Sequence, residues 1–322
     1  MSFTGPRRVF ILGAGFSVAE GFPLIYGLRN RVLHFLEAER HSAYEVFLNT
    51  GNGGYAKGQF YAGLDSIDAD GSMEFEELLI ALADRLRTAS DTDPCHITSK
   101  VLRTGCARFL WCIQNSIWRA ESPYQNFAAQ LRPSGGDAVI SFNWDLLLEK
   151  TLNDCGIPWS YCARGAGIPI VKPHGSINWS GHLRQQLQAE YAGWQILGPG
   201  SKLSFDTREP LSNPNKQEIN SDLRYMLYPG DPELPKNDPD VQWLWEQAED
   251  AIQDRDSLVF IGYSLPDYDT YATRFFTRFG GKSIEAFTPS SDHLERYRRM
   301  FGAGAALSAQ RFADCKYSRS VP

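Results

Sequence analysis

Short apolar runs punctuate this chain at wide intervals, and amphipathic stretches fill the spaces between them. Val9-Phe10-Ile11-Leu12 is the first run, and it stops at Gly13-Ala14-Gly15. Ala138-Val139-Ile140, Ile168-Pro169-Ile170-Val171, Leu258-Val259-Phe260-Ile261 and Ile284-Glu285-Ala286-Phe287 follow. Runs this short and this apolar predict strands buried on both faces. Arg224 to Pro229 is a further candidate strand. Apolar residues spaced by three and four predict a helix from Leu24 to Leu36. A second helix is expected to start at Ser72 and Phe75-Glu76, with Phe75, Leu78, Leu79 and Leu86 on one face. Further helices are expected over 98–120, 123–131, 146–152, 241–252 and 293–300. Residues 50–72 are rich in Gly, Asn, Asp and Ser and predict a loop, and 182–220 predict an irregular excursion. Strands alternating with helices imply an α/β fold with a doubly wound, mainly parallel, Rossmann-like sheet. The expected organisation is a sheet domain from residues 1–49 and 132–322, with a loop and mostly helical insert over 50–131.

Composition narrows the function classes. The chain has 322 residues, 43% of them hydrophobic and 22% charged, which allows a sizeable core. The formal net charge of −6 argues against a generally basic nucleic-acid binder, and no direct nucleic-acid contact is expected. No apolar run approaches the length of a bilayer span. Arg7-Arg8 precede a short apolar run that ends in glycines, which is a strand and not a secretory signal, so a cytoplasmic location is expected. The six cysteines form no Cys-x-x-Cys pair. Cys106 and Cys112, in one helical stretch, are expected to be buried free thiols, and neither zinc nor a disulfide framework is expected.

The candidate chemistry sits where the apolar runs end. Ligands of open parallel sheets bind at the carboxyl edge of the strands. Four such ends carry polar or small residues: Gly13-Ala14-Gly15-Phe16-Ser17, Ser141-Phe142-Asn143-Trp144-Asp145, His174-Gly175-Ser176 and Gly262-Tyr263-Ser264. The first lacks the third glycine of the full dinucleotide fingerprint, since Val18 or Ala19 stands there. Each residue also has a plain structural use. Asn143 suits a turn, Asp145 a helix start, and His174 a satisfied core position. Gly262-Tyr263-Ser264-Leu265-Pro266 does not match the Gly-x-Ser-x-Gly elbow, so serine hydrolysis is set aside.

The order of these motifs resembles the sirtuin superfamily, and its divergent Sir2-like domains more than the histone-deacetylating members. The matching segments are Gly13-Ala14-Gly15-Phe16-Ser17 with Gly21-Phe22-Pro23, then Asn143-Trp144-Asp145, His174-Gly175 and Gly262-Tyr263-Ser264. The resemblance implies NAD+ as substrate and cleavage of its nicotinamide–ribose bond. It implies that Asn143 positions water or a ribose hydroxyl, that His174 acts as general base, and that Asp145 holds the ribose or orients a neighbour. Gly13, Ala14, Gly15, Ser17 and Pro23 would take the pyrophosphate side. Gly262 and Ser264 would lie toward phosphate or adenosine, and Thr288 to Ser290 toward the adenine ribose. Two departures shape the expectation. Only Cys315 follows His174, so the family's four-cysteine zinc ribbon cannot form. Pro23 is followed by Leu24-Ile25-Tyr26 instead of the family's Pro-x-Phe-Arg. Peptide deacylation is therefore disfavoured. Zinc-less domains of this kind resemble the NAD-depleting effectors of bacterial anti-phage defence. That implies a homo-oligomer, or a separate activator such as an ATPase or Argonaute, with the helical insert as the assembly surface. A non-catalytic module that binds NAD+ or ADP-ribose is the alternative.

Overall fold

The computed structural model describes residues 6–24, 27–38, 53–90, 92–116, 123–133, 136–161, 167–177 and 239–319. The candidate strand at 224–229, the 182–220 excursion, Cys162 and the Ile25-Tyr26 pair lie outside them. Among the described residues seven strands form one sheet: β1 (Arg8–Leu12), β2 (Asp137–Ser141), β3 (Trp159–Ser160), β4 (Ile168–Val171), β5 (Ser257–Ile261), β6 (Ser283–Phe287) and β7 (Ala306–Ser308). Their spatial order is β3-β4-β2-β1-β5-β6-β7, and every pairing is parallel. The α/β, parallel, Rossmann-like expectation is met. The two edge strands are the shortest, at two and three residues, which limits the unpaired backbone they offer.

Alternation along each strand explains the apolar runs. Phe10 and Leu12 of β1 face one cluster, together with Val139, Ile168, Ile170, Val259 and Ile261. Val9 and Ile11 face the other, with Ala138, Ile140, Val171, Leu258 and Phe260. A period of two with both faces buried leaves no polar position inside the central strands β1, β2 and β5. The first face is covered by α2 (Leu28–Ala38), α3 (Gly53–Ile67), α4 (Phe75–Leu86), α5 (Cys95–Ser116), α6 (Pro123–Ala129) and α7 (Leu147–Asp154). The second is covered by α8 (Pro239–Gln253), α9 (Thr270–Thr277) and α10 (Ser291–Phe301). A single turn of helix, α1 (Ala14–Ser17), follows β1 directly.

Three sequence expectations change. The loop expected over 50–72 contains the helix α3. Phe60 and Leu64, four residues apart, are buried, and Gly63 lets α3 approach α5 closely. A Cβ on Gly63 would stand 2.2 Å from Thr98 Oγ1 and 2.9 Å from the Pro94 carbonyl oxygen. This glycine therefore serves helix contact, not a turn. The start of α4 is capped by Glu74, not Ser72, in a reciprocal box with Glu77. The short strands β3 and β7 and the helix α9 add elements that the apolar pattern does not signal.

Candidate functional site

All strands run the same way, so their carboxyl ends share one edge. The strand order reverses beside β1: β2 lies on one side and β5 on the other. That switch point is where a crevice opens in such sheets. Here the loops after β1 and β5 clasp each other. Gly13 N–H donates to Ile261 O at 3.1 Å, and Gly15 N–H to Gly262 O at 2.9 Å. Phe16 N–H donates to Gly13 O at 2.8 Å. Of the residues expected on the pyrophosphate side, Gly13 and Gly15 thus have their amides engaged within the clasp. The glycines are needed for close approach of the two loops. A Cβ on Gly13 would stand 2.5 Å from Tyr263 Cα, and one on Gly15 2.8 Å from Gly262 Cα. Gly262 itself has φ of 62°, and a Cβ added there would stand 2.3 Å from Phe16 N. Ala14 is exposed and Gly15 half-buried, so the outer lip of the turn faces solvent.

Behind that turn three predicted residues meet. Ser17 Oγ donates to Asp145 Oδ2 at 2.9 Å, and Asn143 Nδ2 donates to Ser17 Oγ at 3.1 Å. All three side chains are buried. Asp145 also accepts from Leu147 N–H at 3.0 Å, which places it at the start of α7. Burial pushes the Asp145 carboxyl up, opposed by the nearby Lys172 ammonium and the Leu147 amide. Lys172 is fully buried under this loop. Its Nζ donates to Asp145 O at 2.7 Å, Glu149 Oε1 at 2.9 Å and Ser176 Oγ at 2.9 Å. Tyr161 adds a hydrogen bond to the same Glu149 oxygen at 3.0 Å. This lysine ties the end of β4 to α7 and holds the Asn143–Asp145 loop in place.

His174 joins from the end of β4. Trp144 Nε1 donates to its carbonyl at 2.9 Å, which ties it to the Asn143–Asp145 loop. Its ring stands edge-on to Phe142, with centroids 4.7 Å apart. Its Nε2 lies 3.2 Å from Asp269 Oδ2. Phe142 in turn stacks on Tyr263 at 4.4 Å. The aromatic stack therefore connects the ends of β2, β4 and β5.

The remaining predicted residues lie along the same edge, outside the group around His174. Ser264 is half-buried just after β5, next to Leu265, whose φ of 47° is left-handed. Arg296 reaches back from α10 to Leu265 O at 3.1 Å and Asp267 at 2.9 Å, pinning this segment. Ser290 caps α10, accepting from His293 N–H at 3.4 Å, beyond the end of β6. Pro23 is half-buried in the segment that follows the 3-10 turn Val18–Glu20.

Sequence reasoning missed Glu76, Lys172, Tyr263 and Asp269. Lysine at the end of an apolar strand was a usable signal for Lys172. Asp269, three residues after Pro266 and just before a helix, carried the signal of a cap. Glu76 carried none, because acids are ordinary in a first helical turn. Yet its Oε2 is buried without a hydrogen-bond partner. Burial, reinforced by the charge of Asp269, pushes this carboxyl up to about 8. Among the described residues no group of three or more His, Cys, Asp or Glu is placed to hold a metal ion. None of the described helices is long and apolar enough to cross a membrane.

No protein-family model matches the chain, and no curated protein does. Among solved structures it is similar to one described as the crystal structure of a Sir2 homolog–NAD complex, at 14% identity and a TM-score of 0.41. That alignment covers 95% of this chain and 85% of the other.

Proposed function

We propose that this protein is a Sir2-like NAD+ glycohydrolase that cleaves the nicotinamide–ribose bond to give nicotinamide and ADP-ribose. The observation that carries the reading is the buried Ser17–Asn143–Asp145 group, tied through Trp144 to His174 at the switch point of a parallel sheet. In the proposed reaction the bond from ribose C1′ to the ring nitrogen breaks, and its electron pair neutralises the pyridinium. The ribose becomes oxocarbenium-like, and polar groups placed around it stabilise that charge. Water adds to C1′ and loses its proton to the His174 imidazole. Asn143 can both donate and accept, and it would hold the water or a ribose hydroxyl. Asp145 would act through Ser17. The pyrophosphate would lie against the exposed lip of the Gly13–Ser17 turn and Pro23. Gly262 and Ser264 would lie toward the phosphate or adenosine, and Ser290 toward the adenine ribose.

Asn143, Asp145 and His174 are all buried. Burial of the reacting groups fits an enzyme that opens only when it assembles with itself or with a separate activator. This extends the proposal to an anti-phage effector whose NAD+ depletion is released by a partner such as an ATPase or Argonaute. The test is to incubate the pure protein with NAD+, alone and with the product of the neighbouring gene, and to follow nicotinamide by chromatography. Release is expected in the assembled state. Asn143→Ala and His174→Ala should each lower it by at least about 100-fold while leaving the fold intact. Correctly folded protein that releases no nicotinamide in any assembly state would exclude the reading. Thermal stabilisation by NAD+ or ADP-ribose without turnover would point to a binding module.

A further inference from the structure

We infer that Asp269 is the positioning residue for the His174 imidazole. Asp269 stands at the start of α9, on a segment that leaves β5, and reaches across to a histidine carried by β4. Its Oδ2 lies 3.2 Å from His174 Nε2, an ion-pair separation that sets the carboxylate charge against that nitrogen. The carboxylate is itself held on both oxygens. Tyr263 OH donates to Oδ2 at 2.7 Å, and Ala272 N–H donates to Oδ1 at 3.2 Å. Asp269 and His174 are both buried. Tyr263 is fixed in its turn, because Tyr297 OH donates to its carbonyl at 2.7 Å and Phe142 stacks on its ring. A carboxylate so fixed accepts and cannot donate. It therefore favours the imidazole tautomer that carries hydrogen on Nε2, and leaves Nδ1 as the nitrogen able to take a proton.

Other ionisable groups face this pair. Tyr263 comes from the end of β5, with its phenol pushed well above its usual range by burial and then by Asp269. Glu76 comes from α4, within electrostatic range of Asp269 and Tyr263. Neither reproduces the Asp269 contact to Nε2. The arrangement follows the general logic of a base oriented by a buried carboxylate, here assembled from different strand ends. Its catalytic consequence rests on the proposed NAD+ cleavage, whereas the tautomer itself does not.

The test uses the whole chain with 15N-labelled histidine. Long-range proton–nitrogen spectra of His174, assigned by His174→Gln, report which nitrogen carries hydrogen. The native protein should show hydrogen on Nε2. In Asp269→Asn the amide oxygen keeps the bond from Ala272, and the amide N–H turns toward Nε2, so hydrogen should move to Nδ1. Asp269→Ser retains a helix cap and removes the carboxylate. It is the variant to read if the asparagine form does not fold, and loss of the Nε2 preference is expected in it. An unchanged His174 tautomer in a folded variant would overturn the inference. In the active assembly, Asp269→Asn should lower kcat for nicotinamide release by roughly 100- to 10,000-fold with KM little changed. Native kcat in that variant would also overturn it. If the native protein releases no nicotinamide, the NAD+ reading fails and the tautomer measurement alone decides the role of Asp269.

Discussion

Glu76 sits in an environment that its position in the first turn of α4 does not suggest. Its carboxyl ordinarily titrates near 4.5 and is pushed up to about 8 in the fold by burial and then by Asp269. Between those values the folded chain keeps a proton that the unfolded chain has lost. Stability contributed by this group therefore falls as pH rises from about 5 to about 8. The size expected is about 3 kcal/mol across that window. Glu76→Gln should remove the slope, so its urea midpoint should exceed that of the native chain at pH 8 and approach it at pH 5. Equal midpoints at pH 8 would show that the carboxyl is not held protonated. Ser17, Asn143 and His174 were nameable from the sequence because each stands at the end of an apolar run. Asp269 and Glu76 were not, because their meaning comes from what lies across the space between them. Asp145 was legible in two ways, and the geometry gives it both a bond from Ser17 and the start of α7.

The element that decides the site is the double turn after β1 and β5. Each loop fills the space that a side chain on the other would need. Gly262→Ala meets two obstacles, a φ of 62° and a Cβ placed 2.3 Å from Phe16 N. It should cost at least about 3 kcal/mol, combining left-handed strain with backbone collision. Gly156 offers the control. Its φ is 68°, but its added Cβ meets nothing within 4 Å. Gly156→Ala should cost only about 1 kcal/mol. Thermal unfolding of the two variants should separate them clearly, and similar losses would mean that the clasp contributes nothing. The glycine motif was visible in the sequence. That its amides bond to the β5 loop was not, because this depends on which strand pairs with β1. The α3 helix was hidden for a related reason. Glycine reads as a loop signal locally, whereas at Gly63 it serves a contact with α5 that no local window contains.

At the scale of the molecule, the helices between β1 and β2 are continuous with the sheet. Phe10 and Leu12 of β1 belong to the same apolar cluster as Phe60, Leu79, Leu102 and Phe127. We expect a chain from which residues 53–116 have been removed, with a short linker in their place, to lose its cooperative unfolding transition. One face of the sheet would be left without cover, and a sheet in a doubly wound fold needs both faces buried. A cooperative transition in the shortened chain, followed by circular dichroism in urea, would instead mark the helical segment as a separable unit. The ionic group at the opposite edge belongs to this scale as well. Arg8 and Arg132 both pair with buried Asp137, each at 2.7 Å, so the amino ends of the strands are closed by charge while the carboxyl ends carry the candidate site.

The sequence alone determined the class of fold and the edge on which the candidate site residues gather. Apolar runs of strand length can be buried only between two layers, and parallel strands bring all their carboxyl ends together. The order of the runs therefore suffices to place Gly13-Ala14-Gly15, Asn143 and His174 on one edge. Tertiary structure decided what those residues touch. Strand order put β5 beside β1 and turned the glycines into a clasp. Packing of α9 and α4 over the strand ends brought Asp269 to His174 and left Glu76 Oε2 buried without a hydrogen-bond partner, in the field of Asp269. Burial and electrostatics depend on neighbours far apart in the chain, and periodicity reports only the near ones.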